Sequence, residues 1–274
     1  MRQEAQRIVV KVGTSTLTHN SGDMDLRSME RLVRALSDLH SMGHEIILVT
    51  SAAITVGTAR LGLGARPTEL RMKQAAAAVG QCRIMHIYDK LFSEYNRSVA
   101  QILLTGDDVE DPDRADHLRG TFSALLEMRV IPIVNENDSV SSAEIETGRH
   151  KVLGDNDTLS AIVAELCRAD LLILLSDIDG LYDADPRTHP NARLLHTVTD
   201  LTPEILEMAG GAGSWRGTGG MATKLSAARI AMDAGCDMVI TNGKRVEGLY
   251  GIVEGKDIGT RFLAKPRAVS QSEA

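Results

Sequence analysis

Short apolar runs alternate with segments of helical periodicity along almost the whole chain, and this alternation limits the possible folds most. The apolar runs lie at 7–12, 44–49, 98–104, 130–134, 171–175 and 237–240. Apolar residues recur at helical spacing over 25–42, 69–95 (with an interruption at Gly80), 114–128, 155–167 and 218–234. Strands that alternate with helices in this way indicate βαβ units. We therefore predict an α/β protein with a parallel sheet covered by helices.

Composition excludes several other classes of protein. Aromatic residues make up only 3% of the chain, so its core must consist of aliphatic side chains and Met, which suits buried parallel strands. A net charge of −7 leaves no basic surface for nucleic acid. No apolar stretch approaches the roughly 18 residues of a membrane span, and the N-terminus lacks the apolar region of a signal peptide. These features predict a cytoplasmic protein that binds neither membranes nor nucleic acid.

The three cysteines do not form a pattern that carries chemistry. Cys82, Cys167 and Cys236 stand singly, each in an apolar or helical context. An odd number without metal-like spacing argues against a disulfide framework or a zinc site. We interpret all three as buried thiols.

Small, hydroxyl-bearing or acidic residues follow four of the predicted strands. They are Gly13-Thr14-Ser15, Thr50-Ser51-Ala52-Ala53, Asn135-Glu136-Asn137-Asp138 and Ser176-Asp177. Turns favour these residue types, so one such segment would mean little. Ligands of open α/β sheets bind beyond the carboxyl ends of the strands, however, and four such segments together predict a shared polar cleft.

Two lysines stand beside glycine-rich segments. Lys11 lies within the first apolar strand, where it either points to solvent from a sheet edge or faces phosphates beside Gly13. Residues 217–224 (GTGGMATK) open a helix with Lys224 one turn inside it. Their spacing is not that of a Walker A loop. The segment is either a plain flexible loop or one whose backbone approaches a phosphate closely.

The segment 154–158 (GDNDT) places two carboxylates and an amide at the start of a helix. Asp155 is a good N-cap residue, and acidic residues in a first helical turn suit the helix dipole. Capping does not account for Asn156 and Asp157 as well. Phosphoryl transfer needs cations on the phosphates and a group that holds those cations in register. Lys11, Lys224 and Asp157 form a candidate set for this task.

Taken together, these motifs resemble the amino acid kinase superfamily, and within it the glutamate 5-kinase family. The resemblance rests on VVKVGTS (9–15), VTSAAI (49–54), Lys73-Gln74 with AAVGQ (77–81), VNENDSV (134–140), GDNDTLSA (154–161), LLSDIDGLYDADPR (174–187) and GTGGMATK (217–224). The motifs occur in the family's order and span nearly the whole chain. NEND, GDND and GTGGM together are specific to the branch that phosphorylates glutamate.

The resemblance implies a fold, a reaction and partners. The fold would be a three-layer α/β/α sandwich with a mainly parallel sheet, in one kinase domain over 1–265 followed by a polar tail at 266–274. The reaction would convert ATP and glutamate to ADP and glutamyl 5-phosphate, the first step towards proline. Mg²⁺ would be held mainly through the phosphates of ATP. Proline would inhibit the enzyme, and the chain would form a homo-oligomer.

The resemblance also implies roles for individual residues. Lys11 and Lys224 would bind ATP phosphates and neutralise the transferring group, and Asp157 would position both lysines. Ser51, Asp138 and Asn156 would hold glutamate, with Asn135 near it. The nucleotide would contact Gly13, Ser176, Asp177, Thr218, Gly219, Gly220, Met221, Ala222 and Thr223. A carboxylate acceptor is already ionised at pH 7, so positioning and charge neutralisation, rather than a general base, would lower the barrier.

Three features depart from the family pattern. Ala52 stands where the family usually has Gly; a positive φ there would cost roughly 1–2 kcal/mol, so we predict a negative φ at the opening of a helix. Residues 146–153 lengthen the segment before GDND, near the expected substrate and proline region. The chain ends soon after the kinase domain, without the C-terminal PUA domain that many members carry.

Two other interpretations remain. The chain could be another superfamily member that acts on a different small acid, and the combination of NEND with GDND argues against this. It could also be an amino-acid- or nucleotide-sensing module that has lost catalysis. The presence of Lys11, Asp157 and Lys224 argues against that second interpretation.

Overall fold

The computed structural model describes residues 4–140, 155–186, 188–208 and 220–266. The strands are β1 (Arg7–Val12), β2 (Glu45–Val49), β3 (Val99–Leu104), β4 (Ile131–Glu136), β5 (Leu171–Ser176), β6 (Thr197–Val198), β7 (Asp237–Asn242) and β8 (Thr260–Phe262). The helices are α1 (Thr14–Leu17), α2 (Leu26–Ser41), α3 (Ala53–Arg60), α4 (Leu70–Ser93), α5 (Gly106–Glu110), α6 (Pro112–Glu127), α7 (Asn156–Leu166), α8 (Pro203–Met208), α9 (Met221–Asp233) and α10 (Gly248–Val253).

The strands form a single sheet in the order β3-β4-β2-β1-β5-β7-β8-β6 within the described residues. Neighbouring strands are parallel except for β7 and β8, which are antiparallel. β1 lies in the middle, and its Lys11 is in register with Val49 of β2 and Leu174 of β5. A parallel sheet has to be covered on both faces, which explains why its central strands read as continuous apolar runs.

Two hydrophobic cores, one on each face of the sheet, make the three layers. Side chains alternate along a strand, so Ile8 and Val10 of β1 belong to one core and Val9 to the other. Helices α2, α3, α4 and α10 complete the first core, and α6, α7 and α9 complete the second. The predicted α/β/α sandwich with a mainly parallel sheet is confirmed.

Each predicted strand and helix is present, with ends within three residues of the prediction. The prediction omitted the short helices α1, α3, α5, α8 and α10 and the strands β6 and β8. The segment at 146–153 and the tail beyond 266 lie outside the described residues. Among the described residues, none of the helices is both long and apolar enough to cross a membrane.

Two details of the sequence interpretation are wrong. Gly80 does not interrupt α4, which runs unbroken from Leu70 to Ser93. The glycine is required by packing instead, since a Cβ there would lie 1.8 Å from the carbonyl oxygen of Ala53 in α3. A second such contact joins Gly57 of α3 to Ala76 of α4, where a Cβ would lie 1.7 Å from the carbonyl oxygen. Cys82 is exposed on the outer side of α4, whereas Cys167 and Cys236 are buried as predicted.

Candidate active site

The four polar segments predicted to share a cleft follow neighbouring strands. They come after β4, β2, β1 and β5, which are adjacent in that order in the sheet. All four strands run parallel, so their carboxyl ends lie at the same edge. Sheet order therefore brings together residues from widely separated parts of the chain at one site.

Lys11 is held inside the molecule and does not point to solvent from a sheet edge. β1 is a central strand, and Lys11 is only 9% exposed. Its Nζ lies 2.6 Å from Oδ1 of Asp157 and 3.7 Å from the position that a Cβ on Gly13 would take. The ammonium group therefore lies over the glycine turn that follows its own strand.

Asp157 joins two lysines from different elements. Its Oδ1 pairs with Lys11 of β1, and its Oδ2 accepts a hydrogen bond of 3.0 Å from Nζ of Lys224, one turn into α9. Asp157 and Lys224 are 1% and 4% exposed. We call Lys11, Asp157 and Lys224 the ion triad. It carries two positive charges and one negative charge, so it presents net positive charge in a buried place.

The triad keeps its carboxylate ionised. Burial alone would raise the pKa of Asp157, but the charges of Lys11 and Lys224 and their hydrogen bonds outweigh burial, and the pKa is lowered. Asp155 caps α7 by accepting from the backbone N–H groups of Asp157 and Thr158 at 2.7 and 2.9 Å. The cap predicted for Asp155 is thus confirmed, and the side chains of Asn156 and Asp157 serve other contacts.

The described part of the glycine-rich segment forms the start of α9 beside the triad. Its N-cap is Gly220, which offers no side-chain cap to the first-turn N–H groups. The hydroxyl of Thr223 donates to the carbonyl of Gly220 at 2.8 Å and lies 3.3 Å from Oδ2 of Asp157. Met221 and Ala222 form the rest of the first turn, while Thr218 and Gly219 lie outside the described residues.

Ser176 and Asp177 lie at the end of β5, next to β1. Ser176 is buried and donates a hydrogen bond of 3.1 Å to Oδ1 of Asp177, which is exposed. On its other side Ser176 is in register with Asn242 of β7. The two residues therefore belong to the same sheet edge as the triad, on the side of β1 opposite to β2.

A second group of side chains lies on the β2 side and consists of three amides and one hydroxyl. Nδ2 of Asn156 donates to the backbone oxygen of Thr50 and to Oγ of Ser51, both at 2.7 Å, and lies 3.2 Å from Oδ1 of Asn135. Nδ2 of Asn135 donates in turn to Oε1 of Gln81 at 2.8 Å. We call Ser51, Asn135, Asn156 and Gln81 the amide network. Asn135, Ser51 and Gln81 are all less than 10% exposed.

Asp138 lies just beyond the end of β4 and is partly exposed. Burial raises the pKa of its carboxyl to about 6, with a further increase from the charge of Glu136 and a partial decrease from Arg66. Within the described residues Asp138 does not hydrogen bond to the amide network. It is therefore placed near the network by chain position rather than by direct contact.

The predicted negative φ at Ala52 is wrong. The residue has φ 79° and ψ 4°, in the left-handed region, although it does open helix α3 as its N-cap. The chain has to turn sharply between the end of β2 and α3, and α3 is fixed by its backbone contacts with α4. Tertiary packing thus imposes on an alanine a conformation that costs roughly 1–2 kcal/mol relative to glycine.

The sequence analysis missed the contacts of Gln81 and of the Thr50 carbonyl. Gln81 lies 54 residues from Asn135, on a helix that packs against α3. The only signal for it was its place at the end of the AAVGQ motif. The hydroxyl of Thr50 also meets the buried Tyr88 of α4 at 3.0 Å, a further link between this helix and the site.

Comparison with known proteins adds independent evidence. The model of the amino acid kinase family matches residues 6–242. A glutamate 5-kinase from Clostridium perfringens is 54% identical over 263 residues, which cover 96% of this chain and 97% of that protein. A glutamate 5-kinase from Clostridium tetani is 52% identical over 262 residues, covering 96% of each. A carbamate kinase from Giardia lamblia, solved with AMP-PNP, has the same fold, with a TM-score of 0.65 and 18% identity over 97% of this chain and 100% of that one.

Proposed function

The chain belongs to the amino acid kinase family, and from this premise we propose that it transfers the γ-phosphoryl group of ATP to the γ-carboxylate of L-glutamate. The products would be ADP and glutamyl 5-phosphate, and the reaction would be the first step of proline biosynthesis. The relatives of known activity with about half of their residues identical over nearly the whole chain are glutamate 5-kinases.

The observation that carries this proposal is the ion triad at the sheet edge. Two buried lysines share one aspartate, so the triad carries a net charge of +1 with which it can attract and partly neutralise a phosphate anion. Phosphoryl transfer is accelerated mainly by such preorganised charge and by positioning. Asp157 would hold both ammonium groups in place and directed to the transferring group, and the start of α9 would supply N–H groups to phosphate oxygens.

The amide network would hold the acceptor next to the triad. Asn156 directly precedes Asp157, so its amide places a polar pocket beside the lysines. Ser51 and Asn135 contact the same amide and would complete the pocket for glutamate. Asp138 would pair with the substrate's ammonium group through a charge-assisted contact. The attacking carboxylate is ionised at neutral pH and needs no base from the protein.

Mg²⁺ belongs to this proposal as the ion that accompanies ATP. Both carboxylate oxygens of Asp157 are engaged by lysines, so that side chain does not suit a metal. Across the described ranges, His, Cys, Asp and Glu side chains form no group of three or more that could hold a metal ion. This chemistry fits an ion bound through phosphate oxygens and water, which would supply further neutralisation of the phosphates.

The proposal extends to organisation and regulation. We assign the kinase domain to 1–265, a range that contains the segment matched by the family model. Gly13, Ser176, Asp177 and residues 218–224 would form the nucleotide side of the site. The enzyme would act in the cytoplasm, where it would draw on ATP, and as a homo-oligomer, which light scattering of the purified protein would test. Proline would compete with glutamate, since both carry an amino group beside a carboxylate.

ADP release with four acceptor conditions tests the reaction. Glutamate should support turnover, while aspartate, carbamate and buffer alone should not. Hydroxylamine in the assay should trap an acyl hydroxamate in step with ADP, because acyl phosphates react with it. ADP without hydroxamate would indicate simple ATP hydrolysis, and turnover with another acid would indicate the rival superfamily activity. Proline should raise the apparent KM for glutamate without changing kcat, and an absence of inhibition at high proline would remove only the regulatory part.

A further inference from the structure

The side chain of Gln81 is buried, and among the described residues only the oxygen of its amide has a hydrogen-bond partner. It is 7% exposed, and its Oε1 accepts a hydrogen bond of 2.8 Å from Nδ2 of Asn135. Among the residues that the structure describes, none accepts a hydrogen bond from its Nε2, which is itself buried. A buried donor without an acceptor costs about 1–3 kcal/mol, so this arrangement needs a physical explanation.

The orientation of each amide in the network follows from one backbone carbonyl. The oxygen of Thr50 can only accept, so the group of Asn156 that faces it at 2.7 Å must be Nδ2. Asn135 then has to present its oxygen to Asn156, which turns its own Nδ2 towards Gln81. Gln81 must therefore present Oε1 as the acceptor of this hydrogen bond. Its remaining group is therefore a donor, and rotating the amide by half a turn would place two donors against each other.

The position of this donor indicates which part of a ligand it would meet. Asn135 is the next-to-last residue of β4, and Lys11 is on β1, two strands away, or about 10 Å across the sheet. A carboxylate placed at the lysines for phosphorylation leaves the other end of an extended amino acid on the Asn135 side. Gln81 lies on that side, as does Asp138. The group that arrives there on glutamate is its α-carboxylate, which is an acceptor without donors.

We propose that Nε2 of Gln81 donates a hydrogen bond to the α-carboxylate of the amino acid acceptor and so acts as a specificity-determining residue. The inference rests on the proposed function, since it assigns a contact within that acceptor site. The packing of α4 supports it, because Gly80, the preceding residue, touches the carbonyl of Ala53 and fixes the helix against α3. Gln81 therefore lies on a helix that cannot move away from the site without breaking this contact.

One substitution at Gln81 separates a contact with the substrate from mere support of Asn135. Gln81→Glu keeps an oxygen that accepts from Asn135 but loses the donor. We expect it to raise the KM for glutamate about tenfold to hundredfold, the range for losing a hydrogen bond to a charged group, with the KM for ATP within threefold of the parent. Gln101→Glu, at an exposed glutamine on the edge strand β3, is the matched control and should leave both constants unchanged.

A double-mutant cycle makes the same test without introducing a buried charge at position 81. In an Asn135→Ala background Gln81 has no asparagine to support, so Gln81→Leu should still raise the glutamate KM if the contact is direct. Isoglutamine, which carries a carboxamide in place of the α-carboxylate, gives a second measurement. The preference for glutamate over isoglutamine should fall at least tenfold in Gln81→Glu, because a carboxylate at position 81 accepts from a carboxamide and repels a carboxylate.

The outcomes distinguish this inference from the proposed function. Glutamate-dependent turnover of the parent enzyme together with an unchanged glutamate KM in folded Gln81→Glu would overturn the role of Gln81 alone. Loss of the Gln81→Leu effect in the Asn135→Ala background would do the same, and would reduce Gln81 to a support for Asn135. A parent enzyme without glutamate-dependent turnover would overturn the proposed function itself.

Discussion

The ion triad and the amide network occupy the same edge of the sheet but are built on opposite principles. The triad has three formal charges and an excess of one positive charge, whereas the network is neutral and directed by hydrogen-bond geometry. A buried charge is tolerated only when it is paired, so the triad gains its stability from Asp157. On the proposed function, one part of the site would act on charge that develops during the reaction, and the other would recognise the shape and polarity of the acceptor.

Removing a lysine is expected to produce the largest effect. Lys224→Ala should lower kcat by about 10²–10³, because a preorganised positive charge is lost from the transition state, while the glutamate KM changes little. Steady-state assays with both substrates measure the two constants. Lys265→Met is the control, since Lys265 is an exposed lysine that pairs with Asp233 at the other end of α9. Near-normal kcat in folded Lys224→Ala would remove the distinction between the two regions.

Removing an amide should affect binding rather than chemistry. Asn156→Ala takes away the group that joins Thr50, Ser51 and Asn135, so the glutamate KM should rise about tenfold to hundredfold. The KM for ATP should remain within a few-fold of the parent value. Asn191→Ala, at an exposed asparagine, serves as the control. A rise in the ATP constant with an unchanged glutamate constant would mean that the two regions have been assigned to the wrong substrates.

The pH dependence of the glutamate KM tests whether Asp138 contributes a negative charge to acceptor binding. Its pKa is raised to about 6, mainly by burial, so the ionised form that would pair with an ammonium group is lost as pH falls through 6. The glutamate KM should therefore rise about tenfold per pH unit below 6, with the ATP constant following its own course. Asp138→Asn should have a high glutamate KM without this pH dependence. A pH profile that is the same in both proteins would separate Asp138 from substrate binding.

The stability effect of the same group has the opposite direction. The folded-state pKa of Asp138 lies above the ordinary value of 3.8, so the folded protein binds the proton more tightly than the unfolded chain. Its contribution to stability is fully present below pH 4 and is lost as pH rises through 6. Low pH should thus weaken glutamate binding while it favours this part of the fold, and thermal unfolding across pH 4–7 would separate the two.

The smallest effect is expected at the turn that joins β2 to α3. Ala52→Gly removes about 1–2 kcal/mol of left-handed strain but returns about 0.4–1 kcal/mol to the unfolded chain, so the melting temperature should rise by a few degrees at most. The value of kcat/KM should change by less than tenfold. Ala53→Gly, at the first residue of helix α3, should lower stability instead. A large gain in activity for Ala52→Gly would support the sensing-module interpretation.

Sequence alone predicted the layers of the fold and the triad residues for definite physical reasons. A lysine within an apolar strand is costly unless it is paired, and a helix start with more carboxylates than a cap requires suggests a partner for it. These are local signals. Their meeting at 2.6 and 3.0 Å depends on the order of strands and the packing of α7 on α9, which the local pattern does not contain.

The errors at Ala52 and Gly80 and the failure to predict the contact of Gln81 have one origin. Each concerns the close contact of α3 with α4, where backbones approach at Gly57 and Gly80. Local propensity predicts a negative φ for alanine and an interruption at glycine, and tertiary packing overrides both. The same contact brings Gln81 to Asn135 across 54 residues. Contacts created by helix packing cannot be read from the periodicity of either helix.

The adjacency of Asn156 and Asp157 has a consequence for how well the amide network and the ion triad stay aligned at high temperature. One residue belongs to the amide network and the next to the ion triad, so the two regions are joined by a single peptide unit, whose Cα atoms are about 3.8 Å apart. Thermal expansion changes distances between packed elements far more easily than distances along a covalent backbone. On the proposed function, a rigid covalent spacing would therefore set the alignment of acceptor and donor at this point, and this alignment should persist as the surrounding core loosens.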